Sequence, residues 1–253
     1  MKAPQIALQT WTIRNDLLTG ADEILAQVRK IGFEYLEVAD TGRRTPKAFQ
    51  ELCKGHELKI MGTHDPCLTS DDPQVLIDAT KRRAAIFGSK FSTVWWDSAE
   101  RNLAAKYQEY ADLCNKAGES LRNDGITLCY HCYHYDLVPL EGEANRSGLD
   151  VLLSVPKQHL CFELDTRWLN VPRPPVSLQV VLDKFQGRCR LVHLNDVDQD
   201  DKQATLGKGI IDWRQYIAAL RNTQAEWFII EHTDTPNEWI KTSYRYLTTL
   251  MKA

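Results

Sequence analysis

Four stretches in the second half of the chain each place a metal-binding or proton-carrying side chain where a β-rich run ends. They are Tyr130-His131, Leu164-Asp165, Val192-His193 and Ile230-Glu231. Imidazoles and carboxylates brought to one point from four successive strands make a mixed nitrogen and oxygen shell. Such a shell suits Mn²⁺, Co²⁺, Zn²⁺, Fe²⁺ or Ni²⁺ better than Mg²⁺ or Ca²⁺, which favour all-oxygen cages. A divalent ion there polarises a carbonyl and stabilises the enediolate left when a neighbouring C–H loses its proton. A carboxylate or imidazole on the far side of the substrate then carries that proton. His131, Asp165, His193 and Glu231 are the candidate ligands, and Glu231, His131 and His64 the candidate catalytic groups.

Other strand ends offer a substrate site. Gln9 and Trp11 follow the first run, Glu37 closes the second, and Trp96 ends the fourth. Asp136 follows the fifth, Arg167 and Trp168 the sixth, and Lys208 stands in a glycine-flanked loop after the seventh. Tryptophans can wall a sugar or simply fill a core, and a His or Asp at a strand end also serves as a loop cap. Glu163, two residues before Asp165, is either a second inward carboxylate or a helix-facing ion-pair partner. His56 and His159 precede strands and read as structural. Asp196, Asp198, Asp200 and Asp201 form a charge run that reads as a solvated loop.

The elements that must position these groups alternate along the chain. Strands are expected at Gln5 to Gln9, Tyr35 to Ala39, Lys59 to His64, Phe91 to Trp96, Ile126 to His131, Leu160 to Asp165, Arg190 to Asn195 and Trp227 to His232. Apolar runs of this length suit parallel strands buried on both faces. Helical spacing marks Ala21 to Ile31, stopped by Gly32, then Asp72 to Phe87, Ala99 to Leu121, Trp213 to Leu220 and Glu238 to Met251. Gly148 to Ser154 and Pro172 to Pro175 are weaker. Eight such units predict an α/β fold, a (β/α)8 barrel occupying residues 1–253 as one domain. In that fold the chemistry lies at the carboxyl ends of the strands. An open doubly wound sheet is the structural alternative.

The chain's 253 residues are 43% apolar and 26% charged, with a formal net charge of -3 and both signs interspersed. That balance lacks the basic stripe nucleic-acid binding needs. No apolar run is long enough to span a bilayer and no secretory leader is visible, so a cytoplasmic protein is expected. The seven cysteines, Cys53, Cys67, Cys114, Cys129, Cys132, Cys161 and Cys189, are odd in number and scattered, which argues against a disulfide framework. Cys129 and Cys132 are three apart in a strand and should face opposite ways.

Taken in order, these segments resemble the xylose-isomerase-like superfamily of sugar isomerases and epimerases. The resemblance covers nearly the whole chain. It rests on Ile6 to Arg14, Gly32 to Glu37, Gly125 to His131, Gly148 to Leu153, Phe162 to Trp168, Gly187 to Asp196, Leu206 to Trp213 and Trp227 to Glu231. It implies a (β/α)8 barrel holding a divalent metal from strands five to eight, usually by Glu, Asp, His and Glu. Asp165, His193 and Glu231 match three of those positions, whereas His131 stands where many relatives carry the first Glu. One branch has a Tyr-His-Asn-His-Asp-Phe-Glu-like segment there, from which this chain departs at Cys132, Tyr133, His134 and Asp136. Lys208 replaces an acid common in that branch.

The implied activity is a metal-dependent sugar isomerase or epimerase acting on a keto-sugar or related polyol through an enediolate. With only one glutamate of the usual pair, a lyase or hydratase of the inosose-dehydratase or 3-keto-glycoside type is the alternative. A non-catalytic sugar-binding barrel is a third reading. The superfamily's abasic-site endonucleases fit poorly, because they need more metal ligands and a basic surface. The expected partner is a small carbohydrate, not nucleic acid or a membrane, and homo-oligomer formation is left open.

Overall fold

The computed structural model describes residues 3–65, 68, 72–96, 98–171, 175–233 and 235–252. Cys67, Asp234 and residues 172–174 lie outside the described residues. Eight parallel strands close into a barrel: β1 (Gln5–Gln9), β2 (Tyr35–Val38), β3 (Lys59–His64), β4 (Phe91–Val94), β5 (Thr127–Cys132), β6 (Cys161–Asp165), β7 (Cys189–Leu194) and β8 (Trp227–Ile230). Each strand pairs with its sequence neighbours, and β1 closes the ring on β8 with Gln5 opposite Trp227. Every strand lies within two residues of the bounds expected from its apolar run.

The helices on the outside are α1 (Ala21–Ile31), α2 (Pro46–Gly55), α3 (Pro73–Phe87), α4 (Ala104–Asn123), α5 (Gly148–Leu152), α6 (Leu178–Phe185), α7 (Trp213–Arg221) and α8 (Glu238–Lys252). In α1 the buried residues Ile24, Leu25 and Val28 follow helical spacing. The helix ends at Gly32, whose φ of 124° and close approach to Tyr244 leave no room for a side chain. The helix expected from Ala99 begins only at Ala104, because residues 99–102 form a turn. Two helices, α2 and α6, were not visible as apolar periodicity. The first is instead set by local chemistry, since Thr45 caps the Ala48 N–H at 3.3 Å and Pro46 supplies the first helical φ. A two-stranded hairpin, Pro139–Leu140 with Glu143–Ser147, is also additional.

Two cores result. The larger lies between strands and helices, and a smaller one fills the barrel with Ala7, Met61, Phe91, Cys129, Cys161, Leu191, Trp227 and Ile229. Cys129 belongs to the inner core and Cys132 to the outer, so the two thiols do face opposite ways. Among the described residues no helix is long and apolar enough to cross a membrane.

Candidate active site at the carboxyl ends of the strands

Strand alternation carries the inward face from the inner core to the site. Two residues beyond the apolar tier, the inward positions are Gln9, Glu37, Thr63, Thr93, His131, Glu163, His193 and Glu231, one from each strand or its end. Two residues farther stand Trp11, Ala39, Asp65, Trp95, Tyr133, Asp165, Asn195 and Thr233. All eight of these line a cavity of about 760 Å³, as do Gln9, Thr63, His131 and Glu231, with His64, Arg167, Trp168 and Gln203. Glu163 is therefore inward.

Three of the four expected ligands cluster, and the fourth, Glu231, joins them through His193. His131 Nε2 lies 3.7 Å from Asp165 Oδ2, and His193 Nδ1 lies 3.1 Å from Glu231 Oε2. One donor atom each from His131, Asp165 and His193 falls within 4.8 Å of the others. Beneath them, His193 Nε2 contacts Glu37 Oε2 at 2.7 Å and Glu163 Oε1 at 3.3 Å. His64 Nε2 approaches Glu163 Oε2 at 3.6 Å. His131 Nδ1, Glu37 Oε1 and Glu163 Oε2 are buried with no hydrogen-bond partner among the described residues. Buried polar atoms rarely stay unpaired, so this cluster has spare donor capacity that fits a cation.

Burial opposes charge throughout, yet Glu163, Glu37 and Glu231 around His193 hold its pKa well above the ordinary value. Burial, with the neighbouring Glu37, pushes Glu163 well above its ordinary value. Glu231 is held well below its ordinary value against burial, chiefly by His193, with His131 and the Asn195 amide assisting. Glu37 is likewise lowered against its burial by His193 and His64. Burial lowers His64 to about 3, so that ring is neutral. A cation taking a His193 nitrogen would have to displace the proton that these carboxylates favour there, so metal uptake at this point would release protons.

The expected substrate residues divide. Gln9, Trp11, Arg167 and Trp168 line the cavity. Gln9 Oε1 accepts the Trp11 N–H at 2.7 Å, and the guanidinium of Arg14 stacks on Trp11 at 4.4 Å. Glu37 lies under the cavity floor, fully buried against His193. Trp96 turns outward onto Tyr107 and Tyr110, at ring distances of 4.8 and 5.2 Å. Asp136 is buried away from the cavity, taking the hydroxyls of Tyr107 (2.6 Å) and Tyr130 (2.9 Å) and the Tyr133 N–H (2.7 Å). Lys208 is exposed on its loop and does not line the cavity. His56 and His159 sit away from it, bonded to Asp22 and Asn115.

Among the cavity residues additional to those expected are Tyr133, Asn195 and Gln203. The first two were within reach of strand parity, being two residues past His131 and His193. Gln203 comes from a small hairpin after β7, Asp196–Val197 with Gln203–Ala204, and nothing local in the sequence marks it. That hairpin corrects the reading of Asp196 as solvated, because its carboxylate is fully buried. One oxygen accepts Gly207 N–H, Gly209 N–H and Trp213 Nε1–H at 2.8–3.1 Å, and the other takes Val197 N–H at 2.9 Å. Any side chain at Gly209 would collide with that carboxylate and with the Val197 carbonyl.

A closed barrel with a polar site at the carboxyl ends of its strands defines an α/β barrel of the enzyme-bearing kind. The chain belongs to the xylose isomerase-like TIM barrel family, whose model matches residues 25–250. Its fold is similar to that of a sugar phosphate isomerase/epimerase from Parabacteroides distasonis, with a TM-score of 0.78, 17% identity and coverage of 98% of this chain and 96% of that one. It is also similar to 3-keto-D-glucoside 4-epimerase from E. coli, with a TM-score of 0.69, 13% identity and coverage of 99% and 100%. An AP endonuclease, family 2, from Brucella melitensis gives 0.73, 14% identity and coverage of 96% and 98%. No curated protein matches the sequence at a significant level.

Proposed function

We propose that the protein is a metal-dependent enzyme that moves a proton on a keto-sugar or related polyol, as an isomerase or epimerase. One observation carries this reading: donor atoms of His131, Asp165 and His193 gather within 4.8 Å of one another, and Glu231 joins through His193 at 3.1 Å, beside a cavity walled by Trp11, Trp95, Tyr133 and Trp168. His131, Asp165, His193 and Glu231 would hold a divalent ion such as Mn²⁺, Co²⁺, Zn²⁺, Fe²⁺ or Ni²⁺. When bound, it would supply Lewis-acid stabilisation to an enediolate. Glu231, kept ionised at the cavity, is placed to accept a proton. His131, three strands round the barrel, serves either as a ligand or as the group that delivers one. Neutral His64, with Gln9 and Arg167, offers hydrogen bonds to hydroxyls, and the indoles offer faces for a sugar ring. Several structural neighbours, among them a D-psicose 3-epimerase, act on sugars, which supports this substrate class.

A second reading has its own support. The proton carriers are unlike, one carboxylate and one imidazole, and an unlike pair suits elimination or hydration of a keto-sugar as well as it suits epimerisation. Elemental analysis of the purified protein beside an Asp165→Ala/Glu231→Ala variant tests the ion. Near-stoichiometric metal lost in the variant is the expected result, and equal metal in both overturns the assignment. Proton NMR with keto-sugars in D₂O then separates the chemistries. Exchange at carbon without loss of water means isomerisation or epimerisation, and an enone product means a lyase. Sugar binding with neither metal nor exchange means a binding protein.

A further inference from the structure

We infer that Gln203 and Asn195 form a hydrogen-bond relay of fixed polarity that aims one amide at the two carboxylates of the proposed ion site. The inference rests on that reading of the site and concerns residues that position it. The relay starts at a group whose polarity is beyond choice, the backbone N–H of Thr233, which donates to Gln203 Oε1 at 2.6 Å. With its oxygen so committed, Gln203 must turn its NH₂ the other way, where Nε2 donates to Asn195 Oδ1 at 2.6 Å and lies 3.5 Å from the Glu231 carbonyl. Asn195 is then obliged to present its own NH₂ on the remaining side. There Nδ2 lies 3.0 Å from Asp165 Oδ2 and 3.1 Å from Glu231 Oε2.

An asparagine alone can turn its amide end for end, and a carbonyl oxygen facing two carboxylates would drive them apart. Each link here forbids the turn. The Asn195 backbone is fixed as well: its N–H donates to Thr166 Oγ1 at 2.9 Å, and the same hydroxyl donates to its carbonyl at 2.7 Å. Asn195 is buried, so water does not compete for these groups. The two carboxylates, from β6 and from the end of β8, are thereby held with one oxygen each on a common donor. Partners of this kind orient ligands, and their loss typically weakens metal binding by about 10–100-fold.

The test compares two substitutions at Gln203, which itself offers no ligand to the ion. In Gln203→Glu the Thr233 N–H keeps its acceptor, but an oxygen now faces Asn195 Oδ1 and drives the Asn195 amide round. In Gln203→Met the relay is cut without repulsion, and Asn195 stays oriented by the carboxylates. Mn²⁺ affinity, measured by competition with a chelator, is expected to fall about tenfold or more in Gln203→Glu and much less in Gln203→Met. Equal losses in the two, or losses that simply follow their melting temperatures, would overturn the relay. Wild-type protein that takes up no Mn²⁺ would overturn the ion reading, and the relay is then judged without metal. The Asn195 side-chain amide protons, assigned by NMR, should shift in Gln203→Glu and hold in Gln203→Met. Unmoved signals in both would overturn the relay independently.

Discussion

The barrel interior contains two tiers built on the same eight strands and separated by only two residues. The lower is Ala7, Tyr35, Met61, Phe91, Cys129, Cys161, Leu191 and Ile229, and the upper is Gln9, Glu37, Thr63, Thr93, His131, Glu163, His193 and Glu231. The lower tier gains stability by removing apolar surface from water. The upper one buries four ionisable groups more deeply than water would favour, and relies on mutual pairing to do so. Moving one pleat along a strand therefore separates the part that holds the fold from the part that can act on a ligand. The outer face of the strands makes the same contrast on a single residue type. His193 faces in and its pKa is raised by carboxylates, whereas His232 faces out, fully buried against Ser243 and Trp239, and burial lowers it to about 4.

The sharpest way to break the comparison is a pair of substitutions on one face of β8 and its end. Ile229→Ala should cost about 2–5 kcal/mol of stability while the folded protein retains its metal. Glu231→Ala should abolish metal retention at a smaller cost in stability. Chemical denaturation with elemental analysis of both proteins reads this, and metal loss in Ile229→Ala would merge the tiers. A somewhat smaller effect is expected from acid. The His232 pKa is about 4 in the folded chain against an ordinary value of 6.5. The unfolded chain therefore binds the extra proton first as pH falls. This contribution is fully present above pH 6.5 and is lost between there and pH 4, by about 3 kcal/mol. Unfolding curves across that range should be markedly flatter in His232→Gln. Least of all, Cys129→Ser puts a hydroxyl into the lower tier and should cost about 1–3 kcal/mol with metal uptake unchanged, read by melting temperature. A neutral result would show that the lower tier already holds water.

Much of this was legible in the sequence because strands are locally encoded. Runs such as Phe228-Ile229-Ile230 are apolar on both faces, and their ends fell within two residues of expectation. Their place at the ends of four successive strands then put His131, Asp165, His193 and Glu231 at one mouth. What escaped was set by contacts distant in sequence. Trp96 and Asp136 sit in loops whose course is decided by Tyr107 and Tyr110 of α4, so they turn away from the cavity. Asp196 reads as one more acid in a charged run, and only the fold of 205–213 around it makes it the buried hub. Helices α2 and α6 emerge from stretches rich in Pro and Arg, which hid their start in the sequence.

That buried Asp196 has a consequence for recognition. The segment it anchors carries Gln203, so the wall of the cavity from β7 to β8 acquires its shape when the chain folds, before any ligand arrives. A sugar meeting this wall finds its partners already immobile. Association there gives up the freedom of the ligand and very little of the protein's, which lets a few hydrogen bonds discriminate between stereoisomers that differ by one hydroxyl.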